Sequence, residues 1–286
     1  MTIWNLGSIN VDHVYRVESF VTPGETLTAS AYQWGLGGKG LNQSVAAIRS
    51  GGQVRHMGAI GADDTATLAA LAELGLPAPW RVAAPTGHAM IQVNAAGENC
   101  IILAPGANRA LDEDLIAATL AKAKPGDWLL LQNETNGAQR AVTLAKARGL
   151  KVCYAAAPFQ ASAVAALMGQ IDLLSVNEVE LAQLEAAMTV SGVARLVTLG
   201  AKGAYYEDAA GDRLTVPSFP VSPVDTTGAG DTFLGAFLAQ MDQGHPVETC
   251  LRWAAAAGAV QVTRHGAAPV IPTTAEITVF LKEQSL

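Results

Sequence analysis

Short apolar runs alternate along much of this chain with longer stretches whose apolar residues recur every three to four positions. Residues 3–7 (IWNLG), 127–132 (DWLLLQ), 150–155, 171–176 and 195–199 are of the first kind, and each predicts a buried strand. The segments near 112–123, 136–148, 160–169 and 178–188 are of the second kind and predict amphipathic helices. That alternation predicts a largely parallel sheet with helices on both faces, an α/β fold.

The remaining segments modify this plan. In SINVDHV, Asn10 and Asp12 fall two apart, so an extended backbone points both side chains to one face. From Ser19 to Trp34 the core pattern lapses into Thr, Ser, Tyr and Trp around Pro23 and Gly24, predicting strand and turn material that stands off the main body. Glycines and Lys39 then lead into a helix carrying Leu41, Val45 and Ile48, stopped by Gly51 and Gly52. Residues 54–61 predict one strand, 64–74 a helix, and 88–104 a hairpin about Ala96-Gly97-Glu98. Residues 203–216 add strands without helices, and 248–263 predict a further helix. No repeat and no polar linker divides the sequence. The expectation is a single α/β domain over 1–286 with a small β-sheet excursion from about 12–35 and 86–106.

Half the residues are apolar and 15% are charged, enough to build a large core. A net charge of −7 argues against nucleic acid or an anionic membrane as partner but is silent about a small phosphate ligand. Cys100, Cys153 and Cys250 have no CxxC or Cys/His spacing, so they read as reduced core thiols rather than a disulfide frame or zinc site. No signal-like segment opens the chain, and the alanine-rich run 253–262 is too short to span a bilayer. These features predict a soluble, cytoplasmic protein.

The stretch with most chemistry is Asp225 to Phe237, DTTGAGDTFLGAF. Phe233, Phe237 and Met241 lie four apart, as on one helix face, and Gly244 and Pro246 end the pattern. Gly228, Ala229 and Gly230 therefore sit at a helix N-terminus, where free amides and the macrodipole can hold an anion. Asp231 on the first turn could take a proton from an attacking hydroxyl; the alternative is a tight turn with a capping aspartate. Gly35, Gly37 and Gly40 also satisfy G-x-G-x-x-G, with Asp63 near the distance of a ribose-binding acid. They follow a polar segment instead of the first strand of a βαβ unit, which weighs against a dinucleotide site.

GSINVD (7–12), GGKGLNQ (37–43), NEVE (177–180), TLGAKG (198–203) and DTTGAGDTF (225–233) occur in the order and near the spacings of the PfkB carbohydrate kinases. The resemblance runs from residue 5 to about 277, and GGKG followed by Asn-Gln is most similar to the ribokinase branch. It implies a ribokinase-like fold with a β-sheet lid, and ATP-dependent phosphorylation of a primary sugar hydroxyl, D-ribose above other pentoses, ketoses or nucleosides. Asn10, Asp12, Gly38, Lys39, Asn42 and Glu134 match sugar-binding positions; Lys39 could also be a solvated loop residue. Asn177, Glu180, Thr198, Gly200 and Gly203 match nucleotide positions, with Glu180 holding Mg2+ through water. Gly228, Ala229 and Gly230 would form the anion hole and Asp231 would be the general base.

The resemblance further implies a potassium-like cation at Asp225, Thr227, Arg264 and Gly266, and a homodimer through the lid, with Tyr32 and Trp34 as contacts. Val270 stands where a serine is usual, and alanines in VCYAAAPF replace the common Asn-Pro. A reading from a different class is a non-catalytic sugar or nucleotide sensor on the same fold.

Overall fold

Ile3–Leu6 (β1) opens the central sheet with every residue buried. The structure, a computed structural model, describes residues 1–284, so positions 285 and 286 of the expected domain lie outside the described residues. After β1 the chain leaves as Asn10–Arg16 (β2), returns as Ala31–Gly37 (β3) and enters the helix Lys39–Arg49 (α1). Val54–Met57 (β4) rejoins the central sheet. Ala59–Gly61 (β5), the helix Thr65–Glu73 (α2) and Trp80–Val82 (β6) follow, then the hairpin Gly87–Val93 (β7) and Asn99–Ala104 (β8). Next come Glu113–Leu120 (α3), Trp128–Leu131 (β9), Ala138–Ala147 (α4), Lys151–Ala155 (β10) and Ala161–Leu167 (α5). Leu173–Asn177 (β11), Glu178–Ala187 (α6), Ala194–Thr198 (β12), Ala204–Glu207 (β13) and Arg213–Val216 (β14) complete the sheets. The helices Ala229–Asp242 (α7), Val247–Gln261 (α8) and Thr274–Glu283 (α9) close the described chain.

The central sheet has the order β14-β13-β12-β11-β10-β9-β1-β4. From β12 to β4 all neighbours are parallel, and β13 and β14 add an antiparallel edge. Its strands alternate as a pleated, doubly covered sheet must. Trp4, Leu6, Leu129, Leu131, Val152 and Tyr154 join a core with α3, α4, α5 and α6. Ile3, Trp128, Leu130, Cys153 and Ala155 point the other way, into a core with α7 and α8. The expectation of an α/β fold with a largely parallel, doubly covered sheet therefore holds, and Cys153 and Cys250 are core thiols as expected, whereas Cys100 is exposed.

A second sheet, β3-β2-β7-β8, stands apart from the first. The expected excursion thus resolves into strands at 10–16, 31–37, 87–93 and 99–104, with 17–30 irregular. Residues 54–61 are not one strand, contrary to expectation. The chain breaks at Gly58, whose carbonyl accepts from Trp80 N at 2.9 Å, and β5 pairs with β6 instead. A side chain at 58 would meet the Gly7 carbonyl at 2.7 Å, so only glycine permits the turn out of the central sheet. Neither β6 nor α9 was expected; the first is three residues long, and the second lies beyond the last periodic run considered.

Candidate functional site

Gly228, at φ 73°, is the N-cap of α7, a backbone setting that disfavours any side chain. The amides of Gly230 and Asp231 make no hydrogen bond among the described residues, and a side chain at Gly230 would meet nothing within 4 Å. Bare N–H groups therefore face open space, as an anion site requires. One turn along α7, Gly235 packs so closely on the Gln43 carbonyl that a Cβ would overlap it. This close crossing of α7 over α1 brings Asp231 to two residues of α1. Asn42 Nδ2 donates to Asp231 Oδ2 at 3.1 Å, and Gln43 Nε2 donates to Oδ1 at 2.9 Å.

A cavity of about 230 Å³ opens at the C-terminal ends of the parallel strands, where ligands collect in such sheets. Its lining includes Lys39, Asn177, Glu180, Thr198, Gly228 to Asp231, and both Ala155 and Ala157. Asn177 and Glu180 form a capping box at the start of α6: Glu180 N donates to Asn177 Oδ1 at 2.8 Å, and Asn177 N donates to Glu180 Oε2 at 2.9 Å. Burial pushes the Glu180 carboxyl up, opposed by the Asn177 amide and the Lys39 charge and reinforced by Asp231. Gly200 and Gly203 do not line this cavity; Gly203 lies against the Val216 carbonyl, where it serves the β13–β14 edge.

The residues matched to a sugar site gather beside Asp231. Asn10 is buried, and its Oδ1 accepts from Asn108 Nδ2 at 2.7 Å. Asp12 lies two residues on along β2, and burial followed by the charge of Glu134 pushes its carboxyl up to about 7. Glu134, just past β9, accepts from the Ser8 hydroxyl and from the Lys39 amide at 3.1 Å. Gly38 caps α1 and accepts from Asn42 N at 2.9 Å. Asn42 Oδ1 is buried without a partner among the described residues, an acceptor left for a donor that the chain does not provide. Lys39 lies between the two groups: Asp231 raises its ammonium against the opposing effect of burial, and Glu134 and Glu180 add to the rise. It is not a solvated loop lysine.

Near this helix start, the residues matched to a cation site are already engaged with the protein. Asp225 Oδ1 accepts from Thr227 N and Oδ2 from Gly266 N, each at 2.9 Å. Burial acts upward on this carboxyl, but the bonds from Thr227 and Gly266 outweigh it and hold it below the usual carboxylate range. Arg264 donates to the Val270 carbonyl at 3.0 Å and to Glu276 at 2.6 Å. Among the described residues no cluster of His, Cys, Asp and Glu has the form of a metal centre, and no helix is long and apolar enough to cross a membrane. The G-x-G-x-x-G alternative has no structural support, because Gly35 and Gly37 lie on β3 of the second sheet.

Sequence reasoning missed the residues that hold this site in place. Gln43, Gln132, Asn5 and Asn108 are all buried polar residues with tertiary partners. The one available signal was polarity inside otherwise apolar runs: Asn5 within IWNL, and Gln132 at the end of WLLLQ.

Comparison with known proteins agrees with this geometry. The pattern of the pfkB family carbohydrate kinase matches residues 2–274. The ribokinase of Haemophilus influenzae is 37% identical, with 98% of each chain covered. The structure of Thermotoga maritima ribokinase superposes with a TM-score of 0.87 at 34% identity, covering 98% of this chain and 99% of that one. The structure of Arabidopsis thaliana ribokinase complexed with ribose and ATP gives a TM-score of 0.83 at 29% identity, with 98% of each chain covered. This chain belongs to the pfkB carbohydrate kinase family and is an ATP-dependent carbohydrate kinase.

Proposed function

We propose that this kinase phosphorylates the primary hydroxyl of a small sugar, D-ribose before other pentoses, with Asp231 as general base. The observation that carries the reading is the position of Asp231: one oxygen bonds Asn42 of the sugar cluster, while its helix start lines the same cavity as Asn177, Glu180 and Thr198. A sugar hydroxyl on one side and a terminal phosphate on the other would then meet at one carboxylate. The resemblance to ribokinases supports ribose as the acceptor.

In this reading Asp12 accepts vicinal sugar hydroxyls, since a carboxylate forms charge-assisted hydrogen bonds. Asn10, Gly38, Asn42 and Glu134 complete the cradle, and Asn42 Oδ1 gains the donor it lacks. Lys39 neutralises charge between the sugar and phosphate sides. The free amides of Gly230 and Asp231 stabilise the charge of the transferring group. Positioning and electrostatics carry most of such a transfer, and removal of the proton by Asp231 supplies the chemical step on the acceptor.

Asn177 and Glu180 suit a hydrated magnesium, which keeps several waters and binds through few carboxylates. The Asp231 charge disfavours ionisation of Glu180 across the cavity, an effect that a divalent cation would relieve. When bound, magnesium would neutralise phosphate oxygens. The second sheet acts as a lid over the sugar and as a dimer surface, since Tyr32, Trp34, Met90 and Ile102 lie exposed on one face of it. Its substrates, a free sugar and ATP, suit a protein of the cytoplasm.

ATP consumption across a panel of pentoses, hexoses and nucleosides tests this assignment. Ribose should give the highest kcat/KM. Binding of sugar without turnover of any acceptor would make the protein a sensor and overturn the proposed chemistry.

A further inference from the structure

The family resemblance places a monovalent cation beside the anion hole, yet a side chain of this protein already fills the position between its carbonyls. Gln261, near the end of α8, is fully buried. Its Nε2 lies 3.0 Å from the Gly266 carbonyl oxygen, 3.3 Å from that of Thr227 and 3.5 Å from that of Ala267. Thr227 and Gly266 are two of the positions matched to cation ligands.

Carbonyl dipoles that converge on one point need positive charge there. A bound cation supplies it, with the carbonyls standing in for its hydration shell. Here the two N–H groups of a primary amide supply it instead. The neighbours settle which end of the amide faces them, since an amide oxygen among three carbonyls would only repel. This orientation leaves Gln261 Oε1 buried without a partner among the described residues.

The remaining ligand positions agree. Both oxygens of Asp225 accept from backbone amides, which already hold the carboxylate in place. Val270 brings no side-chain oxygen. An added cation would have to displace the Gln261 amide from these carbonyls.

We propose that Gln261 is a built-in replacement for the monovalent cation, so that this kinase holds its anion-hole loops in place without potassium. The amide bridges the loop before α7 to the loop after α8, the connection that an ion would otherwise make.

The test compares potassium chloride with tetramethylammonium chloride at equal ionic strength, by turnover and by thermal unfolding of the full chain. The wild type should change kcat/KM by less than about 3-fold, where a coupled cation site gives roughly 5- to 150-fold. Its unfolding midpoint should be the same in both salts, because a ligand that does not bind cannot stabilise. Gln261→Ala, with the carbonyl position vacated, should acquire a midpoint that rises with potassium; Gln261→Ser serves if the alanine variant does not fold. Activation of the wild type beyond about 3-fold, or a midpoint raised by potassium, overturns the proposal. So does a folded Gln261 variant that gains no response to potassium. Absence of turnover in both salts would count against the kinase chemistry alone, since the unfolding comparison still reads the cation site.

Discussion

Gln43 Nε2 donates to Asp231 Oδ1 at 2.9 Å, joining two residues 188 positions apart in the chain. Behind it Gln132 Nε2 donates to Gln43 Oε1 at 2.6 Å and to Asn5 Oδ1 at 2.9 Å, and Asn5 Nδ2 donates to the Gly40 carbonyl and Ser44 Oγ, each at 2.8 Å. A buried polar chain thus runs from the proposed base to the first strand of the sheet. Its members hold one another in single orientations because an unpaired buried amide is costly.

Gln43→Leu should therefore lower kcat by roughly 10- to 100-fold, the rate equivalent of a hydrogen bond to a charged group worth about 1.5–3 kcal/mol. The sugar KM should move little, because Gln43 bonds the base and is not among the residues assigned to the sugar. Steady-state kinetics separate the two constants, and an unchanged kcat would remove Gln43 from the positioning of Asp231.

Asp231→Asn should reduce kcat by at least ~10²-fold, the usual worth of general-base assistance. Isothermal titration should still detect sugar, since Asn42 and Asp12 remain. Full turnover in this variant would show that another group takes the proton.

Asp12, with its carboxyl pushed up to about 7 by burial and then by Glu134, links sugar binding to pH. The proposed contact uses the ionised form, so affinity should be at its plateau above pH 7. It should fall about 10-fold for each unit below that value. Asp12→Asn should bind more weakly at high pH and lose the pH dependence. Flat binding between pH 5 and 8 in the wild type would contradict the assignment.

His56 is partly buried in β4, with Nδ1 2.8 Å from Ser44 Oγ, and desolvation of its ring pulls its pKa down to about 4 despite an opposing bond with the Gly7 backbone. The folded value lies below the unfolded one, so the unfolded chain binds more protons between them. The stability contribution is complete above pH 6.5 and is lost as pH falls toward 4, on the order of 3 kcal/mol in total. Urea unfolding at several pH values should show this slope, and His56→Gln should flatten it.

Ile102 is 58% exposed on the lid strand β8, in the apolar face with Tyr32 and Trp34. If that face pairs two copies, Ile102→Asp should convert a dimer to a monomer on a sizing column. A wild type that elutes as a monomer at micromolar concentration would dispose of the dimer.

The parallel core was legible in the sequence because strands buried on both faces must be apolar throughout, as in WLLL and LLSV, and surface helices must be apolar on one side. The helix start proposed as an anion hole was legible for a similar reason: bare amides need small residues in sequence, and GAG supplies them locally. The strand break at Gly58 was hidden, because it depends on the Gly7 carbonyl and on Trp80, far away in the chain.

What the sequence determined by itself was the class of fold and the family, since both follow from local patterns and their order along the chain. Only the tertiary structure decided which groups share a carboxylate or a carbonyl. It placed Gln43 against Asp231 through the close crossing at Gly235, and Gln261 among the carbonyls matched to a cation. A buried glutamine is chemically mute in sequence: it can cap, bridge or fill, and the partners it finds on packing choose which.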